Sequence, residues 1–500
     1  MLQKIKNIIL ANPDKDAFCI NDVFTTYSNF ASLLSNIRFE IENSCLQTEE
    51  MIGIVTYNDI QTYASIFATM FSGYGFVPLN PENPDDRNTE ICKHAGVKTI
   101  LSSKEKPAYI FDKNFISTNN LPDKAIDLSL DNYKKENVAC ILFTSGSTGV
   151  PKGVPLTFEN ITATLDAFFS LGYKISSEDR FLQMFDFTFD LSMFSYLPAL
   201  SVGACVYTVP LSGIKYLEAY KVMNKYKVSI AVMVPSTLSF LSPYFKNISL
   251  EDVRYSIHGG EAFNIQLAKK WAECIPNAQI INASGPCETT MFCMGYELNN
   301  DFNKNKTYND VLAFGYPWSS NIAIVVDENL KEVTQGEIGE LCFSGKNVMN
   351  GYWKNPELNK KVFFTKIING NELRFYRTGD MSFIDKKGMF YSCGRKDFQV
   401  KIQGHKVELT EIEKYARRFT GIMNVAAITY EIIPGIFEIC LFVEKNNKTK
   451  EDLNSYLKKK LPNYMLPKGI IVLDKFPLNN YDKINRKYLL NKILKNEISC

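Results

Sequence analysis

Residues 51–56, 138–143, 229–234 and 279–283 are short, mostly apolar runs. Stretches between them, such as 59–73 and 265–274, repeat apolar residues at helical spacing instead. A strand that is apolar on both faces must be covered on both faces, and helices alternating with strands provide that cover. The rhythm persists through roughly the first 340 residues and predicts an α/β fold of mostly parallel sheets flanked by helices. From about 322 the texture changes. Runs at 322–327, 339–344 and 388–392 are spaced by Gly and Asn turns, which predicts a small β-rich subdomain. After Gly394 a compact α+β pattern follows: a strand at 399–402, a helix at 410–418 and strands at 425–429 and 437–443. Five hundred residues exceed a single core. The reading is therefore a large N-terminal domain over 1–395 and a small C-terminal domain over 396–500.

Bulk properties exclude several classes. Hydrophobic residues make up 45% and charged residues 22%, the balance of a soluble globular chain. No apolar run reaches the length of a membrane span. Residues 1–10 mix lysines with apolar residues and read as an amphipathic helix, not a signal peptide, so a cytoplasmic chain is expected. The twelve cysteines include no Cys-x-x-Cys pair, and several, such as Cys140, Cys205 and Cys440, lie in apolar runs. Buried free thiols are expected, without zinc or disulfides. The three histidines are far apart in sequence, and no Gly-x-Ser-x-Gly elbow supports a hydrolase triad. Residues 401–500 hold 18 Lys/Arg against 11 Asp/Glu, a surplus of +7 in a chain of net +2. That surplus suits an anionic ligand or an acidic partner. The lysines lack the aromatic interleaving of a nucleic-acid groove and read as a solvated face.

Residues 143–153 read Phe-Thr-Ser-Gly-Ser-Thr-Gly-Val-Pro-Lys-Gly. Backbone N–H groups, hydroxyls and a lysine concentrated in one loop can wrap a phosphate. The loop is not a Walker A motif, because the fifth residue after Gly146 is Pro151. A plain Ser/Gly turn is the competing reading. An apolar strand precedes the loop. A helical pattern follows from Thr157, with Phe158, Ile161, Leu165 and Phe168 on one face.

Further segments carry a resemblance. Residues 75–87 read GFVPLNPENPDDR, 282–288 NASGPCE, 339–353 GELCFSGKNVMNGYW and 376–380 YRTGD. Residues 394–409 read GRKDFQVKIQGHKVEL and 461–466 LPNYML. In order and spacing they resemble the adenylate-forming superfamily, in particular its amino-acid-activating branch of nonribosomal peptide adenylation domains and D-alanine–carrier protein ligases. The resemblance implies ATP and Mg²⁺ as cofactors and two half-reactions. A carboxylate first attacks the ATP α-phosphate, giving an acyl adenylate and pyrophosphate. A thiol then attacks the adenylate, which makes the enzyme a carbon–sulfur ligase.

Residue roles follow from the same resemblance. Thr144, Ser145, Gly146, Ser147, Thr148, Gly149 and Lys152 would hold the ATP phosphates. Glu288, with Thr148, would serve Mg²⁺. Gly259, Gly260 and Glu261 correspond to an adenine-side turn, followed by Asn282, Ala283 and Ser284. Asp380 would accept from the ribose hydroxyls, with Arg395 beside it. Lys483, in Asn-Tyr-Asp-Lys-Ile-Asn-Arg, would be the catalytic lysine of adenylation, and Lys401 would serve the thiol step. Asp397 would be the hinge of a mobile small domain. The chain departs from the family at Ser284, where a tyrosine is usual, at Cys287, where threonine is usual, and at Tyr481-Asp482.

Phe189-Asp190-Leu191-Ser192 resembles the motif whose aspartate pairs with a substrate α-ammonium. The alternative for Asp190 is a helix N-cap, since the residues after it look helical. The remaining pocket would be Leu191, Phe194, Met233, Ile257, Met291 and Phe292, an apolar set for a small or apolar side chain. Gly259 stands where D-alanine ligases carry cysteine and is expected to widen that pocket. The implied acceptor is an acidic phosphopantetheinylated carrier protein acting in trans. Competing readings are an acyl- or aryl-CoA ligase of the same superfamily and a catalytically impaired nucleotide-binding homologue.

Overall fold

A nine-stranded sheet and a six-stranded sheet form the frame of the computed structural model. It describes every residue except 46–47, 111, 146–150, 397–398, 479–483, 496 and 498–500. The inner strands of the larger sheet pair in parallel: Gln279–Ser284, Tyr255–His258, Ile230–Met233, Arg180–Gln183, Cys205–Thr208 and Asp16–Ile20. Antiparallel strands close its edges. The smaller sheet runs Asn114–Ser117, Thr99–Ser102, Met51–Val55, Gly75–Leu79, Val138–Thr144 and Lys152–Thr157, all parallel but the last pair.

Helix Ile60–Phe71 shows why these sheets need each other. Ten consecutive residues from Thr62 are buried, so the helix has no solvent face. Tyr63 packs on Phe18 of the large sheet with ring centroids 4.6 Å apart, and Phe67 packs edge-on against Tyr196. A helix that is apolar all round must lie inside, and here one core runs through it. Asp59 caps the helix by accepting from the Thr62 amide at 2.8 Å.

A five-stranded antiparallel sheet follows, built on the long strand Asn371–Ile384. Beyond it lie the hairpin Gln399–Ile402/His405–Glu408 and a three-stranded sheet, Val425–Ile433, Ile436–Glu444 and Gly469–Leu473. The two faces of this last sheet carry separate cores. Val425, Ala427, Ile439 and Leu441 pack with Ile402, Val407 and helix Leu409–Thr420. Ala426, Ile428, Cys440 and Phe442 pack with Phe476, Leu489 and Ile493. The period-2 alternation of side chains produces this split.

The fold class agrees with the sequence reading, with two corrections. The phosphate-type loop does not join a strand to a helix. Residues Lys152–Thr157 form an additional strand antiparallel to Val138–Thr144, with Lys152 opposite Thr144, so the loop closes a hairpin. Gly153 and Pro155 conceal the strand in the sequence. It lies at the sheet edge, where a proline without N–H is tolerated. The helix then starts at the expected place, through a reciprocal capping box between Thr157 and Asn160. Among the described cysteines ten are free, but Cys440 is in a disulfide, against the all-thiol expectation. No helix of the described residues is long and apolar enough to cross a membrane.

Candidate functional site

Strand ends and one hairpin converge on a cavity of about 80 Å³. Thr144 and Ser145 reach it from the end of Val138–Thr144, Asp190 and Leu191 from the start of helix Leu191–Val202, and Gly260 from the turn after Tyr255–His258. Asp380 and Arg395 enter from the five-stranded sheet, and Lys401, Gly404, His405 and Lys406 from the hairpin. Ligand clefts outside the carboxyl ends of parallel strands are the general rule for such sheets.

Local stitching explains why distant motifs meet. The Met349 amide donates to the Glu288 carbonyl at 2.9 Å, and the Asn347 side chain donates to the Thr289 carbonyl at 2.9 Å. The Trp353 amide donates to the Gly153 carbonyl at 2.8 Å. These bonds hold Tyr352 beside Glu288, and its hydroxyl donates to Glu288 Oε1 at 2.6 Å. Glu288 is fully buried, and its Oε2 has no partner among the described residues. Burial pushes the Glu288 carboxyl up. Lys406, whose Nζ lies 3.1 Å from Oε1, the Tyr352 hydroxyl and Lys152 outweigh burial and hold it at about 2.

The hairpin fills the neighbourhood of the phosphate-type loop. Ser145 Oγ donates to the Lys406 carbonyl at 2.5 Å and accepts from the Glu408 amide at 3.1 Å. Lys152 Nζ lies 3.3 Å from Glu408 Oε1, while Thr144 Oγ1 is buried without a partner. Burial lowers the Lys152 ammonium, and repulsion from Lys406 adds to this. Lys401 is lowered by burial in the same way. At the hairpin tip Gly404 has φ +83°, and a Cβ there would lie 2.8 Å from Val234 and 3.1 Å from Phe189. Only glycine fits both the conformation and the space. The Gly404 amide donates to Glu261 Oε1 at 2.7 Å, and the Ser236 amide donates to Oε2 at 2.8 Å. The Glu261 carboxylate is thus a clasp on the hairpin. His405 stacks on Tyr464 at 4.0 Å, and burial keeps its ring neutral, with a pKa of about 3.

Asp190 occupies the N-cap position, but its side chain makes no capping bond. The structure thereby removes the capping account of this residue. The carboxyl is 5% exposed. Burial, then repulsion from Glu288, raise it to about 7 against the opposing pull of Lys401 and the Leu191 and Met291 amides. A buried carboxylate in such surroundings is costly until a cation meets it.

Phe194, Met233, Ile257, Ala283, Met291 and Phe292 are buried behind this cavity and do not line it. Thr290 and Met291 both take positive φ, +59° and +68°, which turns the chain sharply after Glu288. Phe292 then lies against Gly259. A Cβ at Gly259 would be 2.4 Å from the Phe292 ring and 2.4 Å from the Ala283 carbonyl oxygen. The expectation that Gly259 widens the pocket is therefore wrong: the Phe292 ring fills the space, backed by Phe194 at 4.8 Å.

Asp380 and Arg395 form an ion pair at 2.6 Å, and Arg395 also donates to Gln399 at 2.6 Å. Asn282 donates to the Ala313 carbonyl at 2.8 Å, and Ser284 is half-buried at the end of its strand. Gly146, Ser147, Thr148, Gly149, Asp397 and Lys483 lie outside the described residues. Sequence reasoning passed over Tyr352, Lys406 and Glu408. All three lie in segments that carry the family resemblance, and only contacts between those segments reveal what they do.

Among the described residues no group of three or more His, Cys, Asp or Glu side chains could hold a metal. A divalent ion here would rely on Glu288, whose orphaned Oε2 fits that task, and on oxygens of a bound nucleotide.

Comparison with known proteins fits this geometry. The family model described as AMP-binding enzyme matches residues 7–353. Tyrocidine synthase 1 of Brevibacillus parabrevis is 28% identical over 96% of this chain, which spans 44% of that protein's length. Bacitracin synthase 3 of Bacillus licheniformis is 29% identical, and the chain spans 7% of it. The D-alanine–D-alanyl carrier protein ligase of Bacillus velezensis is 28% identical, with 99% of each chain covered. Among solved structures, the Vibrio cholerae adenylation domain AlmE, in complex with glycyl-adenosine-5'-phosphate, superposes with TM-score 0.86. It is 22% identical, covering 99% of this chain and 97% of that one.

Proposed function

The chain belongs to the AMP-binding enzymes, and from that premise we propose that it adenylates a small amino acid and transfers the aminoacyl group to the thiol of a separate carrier protein. The observation that carries the reading is Asp190: a buried carboxyl, without a capping role, in the same cavity as the phosphate-type and ribose-type residues. An α-ammonium supplies the cation this carboxylate lacks, whereas a plain carboxylic acid would be repelled.

Thr144, Ser145 and Lys152, with Gly146, Ser147, Thr148 and Gly149, orient the ATP phosphates. Asp380 and Arg395 hold the ribose, and Gly259 and Gly260 let backbone approach the base. Glu288 would hold magnesium, which would supply positive charge to offset the phosphates. Lys483 serves adenylation and Lys401 the thiol step. The small domain, 396–500, turns about Asp397 between them. The hairpin with Lys401 and the segments flanking Lys483 pack on opposite faces of the three-stranded sheet, which supports such a turn. A cavity of about 220 Å³, lined by Phe189, Val234, Ser236, Phe240, Gln403 and His405, offers the thiol a route to the reaction centre.

Phe292 packs against Gly259 behind the Asp190 cavity without lining it, which closes off deeper space and supports a small side chain, in the size range of glycine or alanine. Phe292→Ala should raise the leucine-to-glycine ratio of kcat/KM by about 10- to 100-fold, the range expected for changing pocket volume. An unchanged ratio in a variant that melts cooperatively would remove Phe292 from the specificity wall.

The raised pKa of Asp190 sets a pH dependence. The free protein holds this carboxyl protonated until about pH 7. Its favourable contribution to stability is present at low pH and is lost as pH rises through that value. Ammonium binding needs the ionised form, so kcat/KM for the amino acid should rise with pH up to about 7 and then level. A profile flat from pH 5.5 to 8.5 would contradict the assignment.

The deciding experiment is ATP–pyrophosphate exchange screened over amino acids, plain carboxylic acids and no acid. Exchange with small amino acids supports the reading. Exchange with plain acids alone indicates a CoA-type ligase, and none indicates an impaired homologue.

A further inference from the structure

We propose that Asn347, with Thr164, is a positioning residue for amino acid recognition: the two hold a left-handed corner at Thr290–Met291 that aims the Met291 amide at Asp190 and the Phe292 ring at Gly259. The inference rests on the reading above that Asp190 pairs with the substrate α-ammonium.

Among the described residues, consecutive non-glycine residues with positive φ occur at Asn21–Asp22, Thr290–Met291 and Asn309–Asp310. The first and last are the two-residue turns that join strands Asp16–Ile20 and Val23–Thr26, and Thr307–Tyr308 and Val311–Leu312. Such turns require the left-handed region, and Asn and Asp tolerate it. Neither reason applies to Thr290–Met291. Threonine is β-branched, methionine is long, and both are fully buried. The connection that carries them is also long. Ser284 pairs with Met294 across antiparallel strands, and residues 285–293 join the two. About two to five residues suffice for an ordinary hairpin. Backbone in a sparsely populated region persists only where its surroundings fix it, and it gathers at functional sites.

The surroundings here are specific. The Asn347 side chain donates to the Thr289 carbonyl at 2.9 Å, and the Thr290 hydroxyl donates to the Asn347 carbonyl at 2.6 Å. From helix Phe158–Ser170, Thr164 Oγ1 donates to the Thr290 carbonyl at 3.1 Å. On the same helix the Asn160 side chain donates to the Lys346 and Val348 carbonyls at 2.7 and 3.2 Å. Asn347 is thereby tied to the helix on both sides, and it ties the corner in turn. Asn347 and Thr164 are fully buried. A Cβ at Gly285 would lie 2.5 Å from the Met291 carbonyl oxygen, so the chain passes close against the corner. What the corner sets is the recognition geometry. The Met291 amide faces the Asp190 carboxyl, and Phe292 takes the space that a Cβ at Gly259 would need. With negative φ at 290 and 291 the amide and the ring would leave these places together, because rotation there reorients everything beyond. Neither Asn347 nor Thr164 lines the cavity, so both act through Met291 and Phe292.

The test is ATP–pyrophosphate exchange by the full chain with glycine and with leucine, paired with thermal melting. Asn347→Ala and Thr164→Val each remove one hydrogen bond of the corner. Each should raise KM for glycine, and the leucine-to-glycine ratio of kcat/KM, by about 10-fold, with kcat for glycine and KM for ATP within about twofold of wild type. Thr164→Val keeps the shape of the side chain and provides the measurement if Asn347→Ala fails to fold. Adding Thr290→Gly should bring both values back to within about threefold of wild type, since glycine takes φ +59° without strain. A merely structural role would lower the melting temperature and leave KM and the ratio unmoved, which would overturn the proposal, as would failure of Thr290→Gly to restore either value. Absence of amino-acid-dependent exchange in the wild-type protein would instead overturn the underlying reading of Asp190, and this inference with it.

Discussion

Asp190→Asn should lower kcat/KM for the amino acid in pyrophosphate exchange by about 10²–10³-fold. The substitution keeps the shape of the side chain, and an amide oxygen can still face the Leu191 and Met291 amides. What it removes is the charge. Leaving a buried ammonium without its counter-ion costs about 3–5 kcal/mol, and each 1.4 kcal/mol is about tenfold. The loss should appear mainly in KM if the ammonium is bound equally in the ground and transition states. The ligand-free variant should melt no lower than wild type above pH 7, because the wild-type carboxylate is then ionised while buried and repelled by Glu288. The pH rise in kcat/KM should vanish with it. Full activity in Asp190→Asn would sink the ammonium-pairing role.

Glu288→Gln should reduce the rate of adenylation by about 10²–10³-fold at saturating ATP, the usual scale for losing one charge-stabilising contact at a reacting phosphate. Glutamine can still accept from the Tyr352 hydroxyl and the Lys406 ammonium at Oε1, so the local packing survives. The missing charge would also alter acid stability. Lys406, the Tyr352 hydroxyl and Lys152 hold the Glu288 carboxyl at about 2 against the opposing effect of burial. Its stabilising contribution is therefore present above the ordinary glutamate value, near 4.5, and is lost as pH falls towards about 2. The glutamine variant should lack this part of the acid transition. Undiminished exchange at ordinary magnesium concentrations would remove Glu288 from the metal role.

The readings that succeeded from sequence were those with short-range causes. The strand at Met51–Val55 is apolar along its length, and the helix from Phe158 announces itself with Thr157 and Asn160. Strand Lys152–Thr157 escaped because Pro155 and Gly153 suppress its signature, and only its place at a sheet edge makes them tolerable. Gly259 misled for a related reason. A missing side chain reads as space, but space belongs to whichever neighbour fills it, and Phe292 lies 33 residues away in the chain.

Composition and local pattern were enough for the sequence to determine the α/β class and the phosphate-type loop, and several motifs in order carried the family resemblance that singled out Asp190, Glu288 and Asp380 as carboxylates of interest. Each of those motifs is written within a few residues. Tertiary structure alone decided how the charges are partnered. The pairings of Lys406 with Glu288 and of Glu408 with Lys152 span 118 and 256 residues. Tertiary structure also decided that Asp190, although at the N-cap position and buried, makes no capping bond. Electrostatic energy depends on distance and burial, and neither can be read along a chain until it is folded.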